Sequence, residues 1–219
     1  MTIITIKADS GGEKRRIELS DGSVFSFMPC YLPPIFSDES LFTPGTCEGR
    51  YLNTDEDEGL RFASACMRAE KAALKLIARS EQSFRGLSIK LEKRGHEAPC
   101  IQKVLSRLEE LKLVDDERYV KLWLESRISR RANSPRHLLA CLCRRGIDRS
   151  YAESGIKALL DAETELNLLH RYAKNIQKRK NFNGIINKNK TGPAGSLKYH
   201  LKCQGFSSQA IEMFLEQSV

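Results

Sequence analysis

One pattern occurs three times in this chain and limits what it can fold into. SFRGLSIKLEKRGHE from Ser83, SPRHLLACLCRRGID from Ser134 and PAGSLKYHLKCQGFS from Pro193 align without gaps. Leucine holds the fifth and ninth positions of each copy: Leu87 and Leu91, Leu138 and Leu142, Leu197 and Leu201. Glycine holds the thirteenth: Gly95, Gly146 and Gly205. Leucines four apart stack on one face of a helix. A glycine one turn later ends that helix, because left-handed backbone is closed to most other residues. Ser83 and Ser134 stand where a hydroxyl caps a helix start, and Pro135 occupies a first helical position, where its missing N–H costs little. Asp148 and Ser207 are placed to cap the next helix, and Phe206 to staple onto Ile211.

Helical periodicity flanks each copy. Longer helices are expected before them, over Arg61–Arg79, Glu117–Arg131 and Leu166–Lys180. Medium helices are expected after them, over Pro99–Leu111, Arg149–Leu160 and Ser208–Glu216. The pattern predicts three three-helix units, at residues 61–112, 113–163 and 164–219. One such unit buries little surface alone, so neighbours should lean on one another in an elongated row. On the first long helix, Phe62, Cys66, Ala69, Ala73, Leu76 and Ile77 make one apolar stripe.

Residues 1–60 differ in kind. Ile3, Ile4 and Ile6, then Ile17 and Leu19, then Val24 to Phe27 suggest short strands, with Asp21-Gly22 as a tight hairpin turn. Such a small β-meander is marginal alone and needs something to pack on. Residues 29–60 are expected to be loop, broken by Pro29, Pro33, Pro34, Pro44 and Gly45. Asp55 to Glu58 form an acidic patch ahead of the first helix. The fold class is therefore mainly α, tandem three-helix repeats with a small N-terminal β-meander.

Charge divides the chain. Residues 1–66 hold 6 Lys/Arg against 11 Asp/Glu, whereas the remainder holds 30 against 17. Residues 166–211 hold nine Lys/Arg and no carboxylate. Residues 118–157 hold ten Lys/Arg and three acids. Arg127, Arg130 and Arg131 suit the C-terminal end of a helix dipole. Arg136, Arg144, Arg145 and Arg149 exceed what one helix end needs, and such a bias attracts a polyanion such as nucleic acid. Trp123, the only tryptophan, is expected to fill core. It should share a face with Tyr119, Leu122 and Ser126.

Catalytic signatures are missing. No phosphate-binding Gly-rich loop with Lys-Ser/Thr, no Gly-x-Ser-x-Gly elbow and no His-Glu-x-x-His pair occurs. Asp115-Asp116 is better placed as a helix cap than as a metal pair. The seven cysteines are odd in number and lack a Cys-x-x-Cys pair, which fits reduced thiols in a cytoplasm. His137 with Cys141, or His200 with Cys203, falls short of a zinc set. No metal, cofactor, membrane span or secretory signal is expected.

Leu113-Val114-Asp115-Asp116-Glu117-Arg118-Tyr119, then Trp123, Arg127, Pro135, Leu138, Leu142 and Gly146-Ile147, resemble the most diagnostic stretch of the RecX family of recombination regulators. The first copy is similar to that family's Ser-x-x-x-Leu-x-x-x-Leu-x-x-x-Gly pattern. The likeness covers about residues 65–160 strongly and the third copy loosely. The third copy departs from the pattern by lacking a serine cap and by following an Asn/Lys/Gly-rich insertion, Asn181 to Gly192, expected to be a mobile loop. The resemblance implies binding to RecA–DNA filaments and inhibition of RecA ATPase, strand exchange and co-protease activity, in a non-enzymatic regulator.

Charge and helix position nominate Lys90, Lys93 and Arg94 of the first copy as contacts to that filament. The same reasoning nominates Arg127, Arg130, Arg131, Arg136, Arg144 and Arg145 of the second. A monomer with weak direct binding to single- or double-stranded DNA is expected. The alternatives are a direct, helix-turn-helix-like DNA-binding regulator and a helical scaffold whose charge serves solubility. Titration against naked DNA and against the filament separates them.

Overall fold

The computed structural model describes residues 1–9, 11, 13–33, 48–177 and 197–217. The chain divides into two compact units, Met1–Val114 and Asp115–Val219. Each has its own apolar core.

Unit 1 opens with an antiparallel meander of β1 (Ile3–Ala8), β2 (Arg15–Leu19) and β3 (Val24–Phe27). Alternation explains it: Ile17 and Leu19 are fully buried while Arg16 and Glu18 face water. Ile17 pairs with Ile6 on one side and Phe25 on the other. At the Asp21-Gly22 turn the carboxylate accepts from Ser23 N at 3.0 Å and Ser23 Oγ at 2.6 Å. Those bonds hold Asp21 below the usual carboxylate range. The sheet packs against α1 (Thr54–Ile77), and α2 (Phe84–Glu92) and α3 (Ala98–Glu110) complete the unit. Ile3, Ile17 and Phe27 share a core with Leu60, Cys66, Ala69, Leu87, Leu91 and Leu105. The meander is thus stabilised by helical partners.

The long helix starts at Thr54 rather than Arg61. Asn53 Oδ1 accepts from Glu56 N at 2.8 Å, and the Glu56 carboxylate accepts from Asn53 N at 2.9 Å. This reciprocal capping box makes the acidic patch the first turn of the helix, where its positive end favours carboxylates. Glu56 also pairs with Arg50. Upstream, Pro29–Tyr31 is one 3-10 turn. It buries Tyr31, and that burial raises the phenol far above its ordinary range.

Unit 2 contains α4 (Asp116–Arg130), α5 (Pro135–Cys143), α6 (Arg149–Leu159), α7 (Ala162–Gln177), α8 (Leu197–Cys203) and α9 (Ser208–Glu216). The long–short–medium order repeats through α1–α3, α4–α6 and α7–α9. Gly95, Gly146 and Gly205 have φ of 81°, 81° and 86°. After each, the next amide donates to the carbonyl of the ninth-position leucine: His96 to Leu91, Ile147 to Leu142 and Phe206 to Leu201, at 3.2–3.3 Å. The spacing between leucine and glycine is therefore a Schellman stop. Ser83, Asp115, Ser134, Asp148 and Ser207 all cap as expected. Asp161 accepts from Thr164 N at 2.8 Å, so α7 begins at Ala162 instead of Leu166. The Asn181–Gly192 insertion and the opening PAGS of the third copy lie outside the described residues.

On α4 the buried positions are Val120 and Leu124. Tyr119 and Trp123 are partly buried at the edge of the core, while Leu122 is 45% exposed and Ser126 faces water. Tyr119, Leu122, Trp123 and Ser126 share a face, but the fully buried stripe lies beside it, at Val120 and Leu124. The cause is α6, which approaches so closely at Gly155 that a Cβ there would lie 2.5 Å from Val120 Cγ1. The α4–α6 and α7–α9 triplets share one core, from Val120 and Leu142 to Leu169, Phe206 and Phe214. Arg136 N donates to Gln204 O at 3.0 Å, and Ser134 Oγ bonds Gln204 Oε1 at 3.0 Å, joining the start of α5 to the end of α8. Buried Glu165 accepts from both Ser207 N and Ser207 Oγ at 2.7 Å, joining α7 to α9.

Candidate polyanion-binding surface

Among the described residues of unit 2, a cluster of arginines surrounds the C-terminal half of α4. The Trp123 ring carries the Arg145 guanidinium 4.9 Å and the Arg127 guanidinium 5.8 Å from its centroid. Both contacts lie within cation–π range. Trp123, Ser126, Arg127, Arg130 and Arg131 line one shallow depression. Arg130 and Arg131 also line an adjoining groove with Ala132, Asn133, Arg171, Lys174 and Asn175, a set without an acid. His137 lies in the same field. Its pKa is lowered first by burial, then by Arg127 and Arg144.

Backbone carbonyls hold Arg144, Arg145 and Arg171. Arg171 donates to Ile128 O at 2.9 Å and Ser129 O at 3.2 Å, tying α7 to the last turn of α4. Arg145 donates to Cys141 O at 3.0 Å and Arg144 to Ala140 O at 3.3 Å. Each bonds a carbonyl in the last turn of a helix, where a cation is favoured.

The nominated residues separate into groups. Arg127, Arg144 and Arg145 converge around Trp123 and His137, and Arg130 and Arg131 extend that surface toward α7. Arg136 stands at the other end of α5, donates to Cys203 O at 3.3 Å and lines a different cleft with Arg149, Glu153 and Lys157. In unit 1, Lys90 donates to Gln82 Oε1 at 2.5 Å, Lys93 is the exposed C-cap of α2, and Arg94 joins a groove along α1. Arg171 and Lys174 were not singled out from sequence, although the acid-free run containing them was. Their spacing of three, with Arg171 exposed on an amphipathic helix, was the available signal. Among the described residues, no group of three or more His, Cys, Asp or Glu could hold a metal ion, and no helix is long and apolar enough to cross a membrane.

Residues 115–156, which carry most of this surface, match the family model described as RecX, second three-helix domain. A regulatory protein RecX of Treponema pallidum is 36% identical over 127 residues, 58% of this chain and 77% of the relative. The chain belongs to the RecX family. The RecX of Caldanaerobacter subterraneus is 24% identical over 177 residues, 81% of this chain and 84% of the relative. A crystal structure of regulatory protein RecX shares the fold, with a TM-score of 0.69 at 18% identity and 98% coverage of both chains. RecX from Lactobacillus salivarius matches with a TM-score of 0.53 at 20% identity, covering 71% of this chain and 97% of that one. The RecX-family segment contains Arg127, Arg130, Arg131, Arg136, Arg144 and Arg145, whereas Arg171 and Lys174 fall beyond it.

Proposed function

We propose that this RecX-family protein binds the RecA filament on DNA and restrains it. In doing so it lowers RecA ATP hydrolysis, strand exchange and co-protease activity, and so modulates recombination, repair and the SOS response. The protein works by occupancy rather than catalysis, as a cytoplasmic monomer without a cofactor. The observation that supports this reading best is the cationic surface of Arg127, Arg130, Arg131, Arg144, Arg145, Arg171 and Lys174 on a chain of this family, in which backbone carbonyls hold Arg144, Arg145 and Arg171. A nucleoprotein filament offers phosphate charge and protein surface together. Guanidiniums suit such a target, because the planar group matches phosphate with paired N–H donors.

The test is charge reversal, R144E/R145E, assayed by RecA-driven ATP hydrolysis on single-stranded DNA with helicity checked by circular dichroism. Inhibition should need a much higher concentration of the variant. Undiminished inhibition at the wild-type concentration sinks the assignment. Strong preference for one duplex sequence without RecA would instead favour a direct DNA-binding regulator.

A further inference from the structure

Unit 1 carries a second cationic surface, separate from the one just described and not needed for that reading. Arg68, Lys71, Lys75 and Arg79 follow one another at spacings of three and four along and just beyond α1, so they share one face of the helix. All four are exposed, while Cys66, Ala69 and Ala73 on the other face are buried in the core. Arg94, from the end of α2, joins them and donates to Ala72 O at 3.3 Å. These five cations and Ala72 line a shallow trough. No carboxylate lines it. Glu70, the one acid of α1 after Glu58, is buried on the opposite side, 3.5 Å from Arg107. His96 senses the same field, its pKa lowered by burial and then by Arg68 and Arg94.

The helix dipole accounts for Lys75 and Arg79 near the C-terminal end, but not for Arg68 and Lys71, which lie farther back. Solvation alone would tolerate interspersed acids on this face, and there are none. The twelve residues from Arg68 to Arg79, eleven steps apart, span about 16 Å at 1.5 Å per residue. Phosphates follow at roughly 3.4 Å along each strand of a duplex, so the stripe spans about five of them. The lining has no aromatic side chain, and single-strand binding surfaces depend on base stacking. It offers only cationic donors, which hold a backbone in place and carry no sequence information.

We propose that the face of α1 formed by Arg68, Lys71, Lys75 and Arg79, with Arg94, grips the phosphate backbone of duplex DNA without reading its sequence.

The experiment measures binding of the full chain to a fluorescent random-sequence duplex of about 20 base pairs, longer than the stripe, and to its single strand. Anisotropy is followed between about 50 and 200 mM salt. Neutralising two cations in K71Q/K75Q should shrink the slope of log K against log salt by about 1.8 and weaken duplex binding roughly tenfold or more near 0.1 M salt. The charge-conserving K71R/K75R should retain the wild-type slope, separating lost charge from lost structure. The same change should appear in an R144E/R145E background, which isolates unit 1 from the other cationic surface. Unaltered duplex affinity and slope in K71Q/K75Q overturn the proposal. A loss confined to the single strand, or to an acidic polypeptide such as polyglutamate, overturns it as well.

Discussion

The contact between α4 and α6 fixes where the arginines around Trp123 stand, and substitution of Gly155 tests it quantitatively. In an exposed helix interior, Gly→Ala stabilises by about 1 kcal/mol through propensity alone. Here the new methyl would lie 2.5 Å from Val120 Cγ1 and 3.6 Å from Leu124 Cδ1. Val120 is 1% exposed, and its branched side chain has few rotamers to retreat into. Overpacking of this kind costs about 1–3 kcal/mol, so G155A should be net destabilising by about 1 kcal/mol. V120A alone removes two methyls at about 0.8 kcal/mol each and leaves part of a cavity, a loss of about 2 kcal/mol. In the double variant the new methyl occupies the vacated space. Its total loss should be about 1 kcal/mol rather than 3, a coupling of about 2 kcal/mol. Trp123, the only tryptophan, sits on α4. Urea titration followed by its fluorescence therefore reports unit 2 directly. Strictly additive losses, or a G155A variant more stable than the parent, would refute the close-approach reasoning.

The glycine stops should differ in sensitivity. G95A should lose about 1 kcal/mol for placing a side chain at φ 81° with open space around it, and G205A more, since its Cβ would sit 3.3 Å from Arg136 N; equal melting shifts would contradict this. E165Q should lose about 1.5–3 kcal/mol, because an amide cannot accept from both Ser207 N and Ser207 Oγ as the buried carboxylate does; a change within error in thermal unfolding would mean the bond contributes little. His96 and His137 have pKa values lowered from 6.5 in the folded chain, so the unfolded chain binds more protons as pH falls. Their contribution to stability is complete above about pH 6.5 and is lost as pH drops below it through the folded values. H96Q/H137Q should flatten that part of a stability–pH profile, and an unchanged profile would exclude these two histidines as its cause.

How much was legible depended on whether the backbone or the packing decided the matter. The leucine–glycine triplet could be read because each element follows from local chemistry: a hydroxyl cap, leucines one turn apart and a residue able to take positive φ. The meander was legible for the same reason, through its alternation and the Asp21-Gly22 turn. The start of α1 was missed because Asp55 to Glu58 look like solvated loop until Asn53 and Glu56 are seen to bond reciprocally. The fully buried stripe of α4 could not be picked from sequence, because apolar residues occur around much of its circumference. Gly155, more than thirty positions downstream, selects Val120 and Leu124. Composition located the positive regions but could not sort them. Arg136 and Arg144 occupy opposite ends of α5, about 12 Å apart at helical rise. Arg171 reaches α4 only because α7 packs beside it. The stripe from Arg68 to Arg79 is visible in its spacing, but only the fold shows Arg94 joining it.

The arginines of unit 2 divide by the partner that holds them, and that division bears on recognition. Arg149 faces Glu153 at 2.7 Å, as Arg61 faces Asp57 at 2.8 Å in unit 1, and each such pair cancels its own charge. Arg136, Arg144, Arg145 and Arg171 are held instead by carbonyls of Cys203, Ala140, Cys141, Ile128 and Ser129. A carbonyl restrains a guanidinium without neutralising it. Part of the side-chain entropy that binding would cost has then been lost on folding. Lysine, with its flexible stem and compact ammonium, would supply the charge without the two-point hold that Arg171 makes on the end of α4. Orientation by the backbone is what turns a surplus of positive charge into a surface of defined shape.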